Sequence, residues 1–160
     1  MQIKSSSRTA VAVFAILVVG CTRILPPSRP DPAPRMDPAD QPRSAADQSG
    51  PAVLALLAQA DAELEAGSNS RAIAKLENAL RIESRNAFVW QRLAEVHLRE
   101  HRLEQAETFA ERSISLARGN PWLELKNWRV IARARLERDD RRGAEAANEK
   151  VSELEQRLEP

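Results

Sequence analysis

Small residues recur at a fixed interval along this chain, and that interval restricts the folds open to it. Sliding the sequence by 34 residues lays Ala60 on Ala94, Ala72 on Ala106, Ala79 on Ser113 and Asn86 on Asn120, with Leu80 on Ile114 and Ile82 on Leu116. Small side chains at repeated positions let two helices approach closely, so the interval predicts stacked helix pairs. A third copy follows at a different offset. Shifting by 38 lays Trp128 on Trp90, Ile131 on Leu93, Ala132 on Ala94 and Ala144 on Ala106, which places one extra helical turn around Trp122–Leu125.

The apolar residues between these anchors are spaced three and four apart, the period of a one-faced helix. Val53, Leu56, Leu57, Ala60 and Leu64 make the first stripe, and Gly67 ends it. Ile73, Leu76, Ala79, Leu80 and Ile82 make the second; Phe88, Trp90, Leu93, Ala94 and Leu98 the third. Leu103, Ala106, Phe109, Ala110, Ile114 and Leu116 make the fourth. Asn120 is placed to cap a fifth helix with Pro121 at its first position, and Asp139 with Asp140 interrupts the pattern again. Ala144, Ala147, Val151, Leu154 and Leu158 complete a sixth. Aromatic residues are only 4% of a chain that is 42% hydrophobic, which suits close helix packing more than strands. The expected fold is therefore all-α, with six helices joined by loops of two to five residues. The last helix has no further helix to cover it, so Leu154 and Leu158 are expected to leave an apolar edge for a partner or a second copy.

The first fifty residues have a different texture. Lys4 and Arg8 precede the apolar run Ala10–Gly20, which is too short for a bilayer span of about 20 residues but fits a signal peptide over 1–20. "VVGC" at 18–21 resembles the lipobox of bacterial lipoproteins, although Leu is commoner than Val at its first position. The resemblance implies that Cys21, the only cysteine, becomes the acylated first residue of the mature protein, anchoring it by more than one chain. Thr22 is not the aspartate associated with inner-membrane retention, so the same resemblance points to the periplasmic face of the outer membrane. Seven of the ten prolines fall in 22–50, and no aliphatic branched residue lies between Pro30 and Gly50. Residues 21–50 are accordingly expected to be a disordered tether, able to reach on the order of 90 Å at full extension.

Residues 51–160 resemble the tetratricopeptide repeat family. Trp90, Leu93, Ala94 and Ala106 match its large, Leu and small positions in the second unit, and Ala60, Gly67, Ala72 and Ala79 match in the first. The departures are Ser84 and Arg118 where Pro is usual, and Glu63 and His97 where Tyr is usual. The resemblance implies about three helix-turn-helix units in a short right-handed α-solenoid, whose groove is lined by the first helix of each pair. Carried onto this chain, that lining is Leu57, Asp61 and Leu64, then Phe88, Gln91, Glu95, Leu98 and Arg99, then Lys126, Arg129, Arg133, Leu136 and Glu137. Phe88, Leu98, Arg99, Lys126, Arg129 and Arg133 are the candidate partner-binding residues.

Lys126, Arg129 and Arg133 sit at i, i+3 and i+7, one face of one helix. Two readings of that stripe stand: a groove for an acidic protein or peptide client, since arginine pairs carboxylates bidentately, or a solvated face balanced by neighbouring Glu. Charge is balanced overall, with 24 basic and 23 acidic residues, so nucleic acid is not an expected partner. A single cysteine rules out an internal disulfide or a multi-thiolate metal site. His97 and His101 lie four apart but have no further histidine or cysteine after Cys21 to complete a site, and "HLREH" lacks the Glu of a zinc-protease helix. No phosphate-cradling loop or nucleophile–base pair is present. The expectation is no cofactor, no metal and no enzymatic activity. Lipoproteins of similar build assist envelope assemblies, including peptidoglycan enzymes and secretins, so the resemblance implies an envelope adaptor. The alternative is a structural subunit that self-associates through its C-terminal edge.

Overall fold

The computed structural model describes residues 44–117 and 119–159, all within the second of the chain's two units, Met36–Pro160. The expected signal peptide over 1–20, Cys21 and most of the expected tether lie outside the described residues. Among the described residues there are seven helices: α1 (Ala45–Gln48), α2 (Pro51–Glu65), α3 (Asn69–Ile82), α4 (Ala87–Arg99), α5 (Leu103–Leu116), α6 (Pro121–Glu137) and α7 (Arg141–Leu158). Each of α2 to α7 packs against its neighbour in the chain, and α4 also touches α6. The connections 66–68, 83–86, 100–102, 117–120 and 138–140 have the short lengths that antiparallel pairs require.

Local chemistry sets the helix ends. The Asn86 carboxamide oxygen accepts from the Phe88 and Val89 amides, Asn120 accepts from Leu123 ahead of Pro121, and Asp140 accepts from Gly143. The turns within the three pairs bring Gly67 (φ 72°), His101 (φ 55°) and Asp139 (φ 63°) into the left-handed region. These are equivalent positions of the repeat, and two of the three carry a side chain there at a steric cost. The inserted turn is visible as the length of α6, 17 residues against 13 in α4.

The repeated small residues sit where helices touch. Ala60, Ala72, Ala79, Ala94, Ala106, Ala110, Ser113, Ala134 and Ala147 have no exposed surface. One cluster joins α2, α3 and α4 through Val53, Leu57, Leu76, Val89, Leu93 and Val96. A second joins α4, α5, α6 and α7 through Ala94, Ala106, Ala110, Val130, Ile131 and Ala147. Burying a side chain such as Leu76 contributes about 1.5–3 kcal/mol each time, which is how a chain without a described disulfide holds together.

Three expectations change. A short helix stands at Ala45–Gln48, inside the stretch expected to be tether: Ala45 packs against the first cluster, the Gly50 amide donates to Glu83 Oε1 at 2.7 Å, and Asn86 Nδ2 donates to Ser49 Oγ at 2.7 Å. The end of the supposed tether is thus pinned by the α3–α4 connection. Ile82, expected inward, is 57% exposed at the last residue of α3. Leu154, expected to leave an uncovered edge, is buried at 4%, and Leu158 is half-buried. The outer face of α7 is polar instead, formed by Glu145, Asn148, Glu149, Ser152, Glu153 and Gln156. Such a face closes a stack toward water.

Candidate partner-binding groove

The first helices of the three pairs, α2, α4 and α6, share one face, and two clefts open on it. The first, about 410 Å³, is lined by Leu57 and Asp61 of α2, Phe88, Gln91 and Arg92 of α4, and Trp122, Leu123 and Lys126 of α6, with Ser44, Ala45 and Asn120 at its end. The second, about 420 Å³, is lined by Glu95, Leu98 and Arg99 of α4 and Lys126, Arg129, Val130 and Arg133 of α6. Lys126 stands at the border of both. All six candidate residues therefore reach this face: Phe88 in the first cleft, Leu98, Arg99, Arg129 and Arg133 in the second, Lys126 in each. Leu64, Leu136 and Glu137, carried over by the same register, line neither cleft, and Leu136 is 60% exposed.

The electrostatics are decided by pairing rather than by the number of charges. Arg92 Nε lies 2.8 Å from Asp61 Oδ1, and its Nη1 lies 2.7 Å from Glu95 Oε2. Burial works against the Arg92 charge, but Glu95 and then Asp61 outweigh it and hold its pKa above the ordinary value. One guanidinium thus pairs with the acid of each cleft, one positive charge against two negative. Arg129 pairs with Glu155 at 2.6 Å and Arg133 with Glu137 at 2.8 Å, both largely in solvent. Such exposed pairs hold little energy and exchange readily. Among the described residues, Lys126 and Arg99 are in no ion pair. The charge left over on this face is positive.

The polar surface also holds an unmet donor. Gln91 lines the first cleft and is only 3% exposed, yet its Nε2 has no hydrogen-bond partner. Around it the wall is apolar, and Trp122 is 43% exposed. The sequence put Gln91 on the groove by register but gave no sign of its burial. Arg92 and Trp122 escaped the sequence altogether. The Arg92–Glu95 spacing of i, i+3 was the available signal for the first, and the inserted turn for the second.

The two histidines do not meet. His97 is buried, with its ring edge-on to Phe109 at 4.9 Å and 76°, filling the interhelical position where the repeat pattern has Tyr. Burial first, and the Arg102 charge second, hold its pKa below the ordinary value. His101 sits in the α4–α5 turn, 3.2 Å from Glu137. Among the described residues no cluster of three His, Cys, Asp or Glu side chains gathers to hold a metal, and none of the described helices is long and apolar enough to cross a membrane.

A stack of helix pairs with a continuous groove along its first helices is the architecture of a helical-repeat interaction protein. The tetratricopeptide repeat family model matches residues 63–128. The solved globular C-terminal domain of P. aeruginosa LpoP is 39% identical, with a TM-score of 0.62, and the match covers 64% of this chain and 97% of that one. No curated protein sequence matches the chain. The chain belongs to the tetratricopeptide repeat family, together with the LpoP globular domain.

Proposed function

We propose that this protein is a lipid-anchored adaptor at the periplasmic face of the outer membrane, which holds an envelope-assembly protein on its α2/α4/α6 face. The fold is of a non-catalytic kind that serves protein–protein contact, and the likeness to the LpoP domain supports an envelope setting. The "VVGC" box after a short apolar run supports the anchor. The observation that carries the reading is the pairing pattern of the groove: Arg92 engages both Asp61 and Glu95, and among the described residues Lys126 and Arg99 are in no ion pair, beside apolar walls. A site of that kind favours a partner that brings carboxylates, and binding that weakens as salt rises.

A photo-crosslinking residue placed at Lys126, and separately at Glu149 on the outer face of α7, tests this in intact cells. A discrete adduct with one envelope protein from position 126 alone is the expected result. Adducts from 149 and none from 126 would overturn the groove as the docking face. The anchor is tested by Cys21→Ser, which should accumulate as precursor without incorporated palmitate; labelled palmitate in that variant would overturn lipidation.

A further inference from the structure

We propose that residues 44–49 form a releasable strap, held by a latch on the α3–α4 connection. Docked, the strap closes one end of the first cleft. Released, it opens that end and lengthens the stretch of chain that leads back to Cys21. The strap is independent of what the cleft binds; that its release changes the reach of the domain rests on the anchor proposed above.

The helix α1 has four residues, about one turn, too short to persist by itself, so the contacts on either side of it give it its shape. On one side Ala45 packs against the first apolar cluster, and Ser44 and Ala45 stand in the wall of the first cleft. On the other side is the latch. Glu83 Oε1 accepts from the Gly50 amide at 2.7 Å, and Glu83 Oε2 and Ser49 Oγ each accept from Asn86 Nδ2 at 2.7 Å. A Cβ at position 50 would stand 3.0 Å from Glu83 Oε1, so the glycine makes room for the acid. These bonds are only partly buried, where water competes for each partner and the net gain is small. The latch is also additional to the repeat. Asn86 and Asn120 are equivalent and both cap the helix that follows, but the residue equivalent to Glu83 is Ala117. Asn86 caps α4 with Oδ1 and holds the strap with Nδ2, so the strap can leave without uncapping α4. On release the strap adds up to about 20 Å of reach at about 3.3 Å per residue, and the wall made by Ser44 and Ala45 leaves the cleft. A pull on the chain ahead of Ser44 acts on the strap directly, which ties opening of the cleft to the distance of the domain from its anchor.

Trypsin acting on the full chain in nonionic detergent reads the strap. Cutting the Arg43–Ser44 bond requires α1 to unwind, so its rate follows the released fraction, and the Arg35–Met36 bond serves as reference. In the parent the 43–44 cut should be at least about 10-fold slower than the 35–36 cut. Glu83→Ala with Ser49→Ala removes the acceptors of the latch and leaves the Asn86 cap in place. It should speed the 43–44 cut about 5–10-fold and leave the 35–36 cut unchanged. Asp140→Ala, which removes the side-chain cap of α7, should change neither cut. Closure of the cleft is read in the same purified protein by a photo-crosslinking residue at Trp122, which lines the first cleft. Its intramolecular adduct should fall on Ser44 or Ala45 in the parent and move to Leu57 or Asp61 in the unlatched variant. Equal cutting of both bonds in the parent, or a 43–44 cut insensitive to the double variant, would overturn the strap. So would an equal acceleration by Asp140→Ala, or the absence of parent adducts on Ser44 and Ala45. None of these outcomes involves a partner or the lipid, so the adaptor reading stands or falls separately.

Discussion

The two junctions of this short stack share apolar packing, but only the second adds a buried hydrogen bond between units. Between the first and second units the contact is apolar: Val53, Leu57, Leu76, Val89, Leu93 and Val96 form one cluster that excludes water. Between the second and third, where Ala94, Ala106, Ala110, Val130 and Ile131 also cluster, one buried hydrogen bond crosses from α6 to α5 and continues to α4 within the second unit. Ser113 Oγ of α5 donates to the Ala87 carbonyl of α4 at 2.8 Å, and Asn127 Nδ2 of α6 donates to Ser113 Oγ at 2.8 Å and to the Leu123 carbonyl at 2.8 Å. Both side chains are fully buried. Apolar burial is non-directional, so it stabilises contact without fixing register; hydrogen bonds fix both distance and angle. The polar lock sits where the 34-residue interval is broken by the extra turn of α6. A regular interval can leave register to repeated shape, whereas an irregular one benefits from a directional contact.

The comparison breaks first at its apolar half. Leu76 has no exposed surface and stands in the middle of the first junction, so Leu76→Ala should destabilise the domain by about 2–5 kcal/mol. Urea unfolding followed by circular dichroism gives the value. A loss under about 1 kcal/mol would mean that the first junction does not carry the stack.

The polar half yields a smaller and more specific loss. Ser113→Ala removes one of two donors to the Ala87 carbonyl, which keeps its helix bond, and one acceptor from Asn127, which keeps the Leu123 carbonyl, at a cost of about 0.5–1.5 kcal/mol. Asn127→Leu should cost less than Ser113→Ala, because it removes the amide together with its unpaired Oδ1 and leaves fewer buried groups unmet. The reverse order would show that Asn127 and not Ser113 is the centre of the lock.

The turns sharpen the comparison further. Gly67 has nothing within 4 Å of where a Cβ would sit, so Gly67→Ala isolates the backbone effect of φ 72° and should cost about 1 kcal/mol. A neutral result would show that the first unit accepts a side chain there as easily as the units carrying His101 and Asp139.

The smallest effect concerns pH. His97 contacts Phe109, which packs on both clusters. Its folded pKa lies below the ordinary value of 6.5, so the unfolded chain binds its proton more readily. Stability from this group is present above that unfolded value and is lost as pH falls below it toward the folded value. The urea midpoint should therefore drop between pH 7.5 and 5.5 in the parent and change less in His97→Phe. Parallel pH profiles for the two would remove His97 as the cause.

Much of this architecture was legible because it is local. Periodicity of three and four residues placed the helices, Asn120 and Pro121 marked the start of α6, and recurring alanines marked the contacts. The i, i+3, i+7 spacing put Lys126, Arg129 and Arg133 on one face, and the fold keeps them there. Each of these signals depends on residues within one or two helical turns of each other, where backbone geometry alone relates sequence to space.

Helix packing settles which of those residues are satisfied and which are left over. Arg92 reaches Asp61 across 31 residues and Arg129 reaches Glu155 across 26. Those distances are set by how two helices pack, so the sequence could count the charges without sorting paired from unpaired. The same holds for Gln91, whose burial follows from the packing around α4 and not from its spacing in the sequence. It holds equally for Leu154 and Ile82, of which the first is buried and the second exposed although both fit an apolar stripe. The chain specifies its helices through near neighbours, and it acquires its groove through distances between helices that no local pattern records.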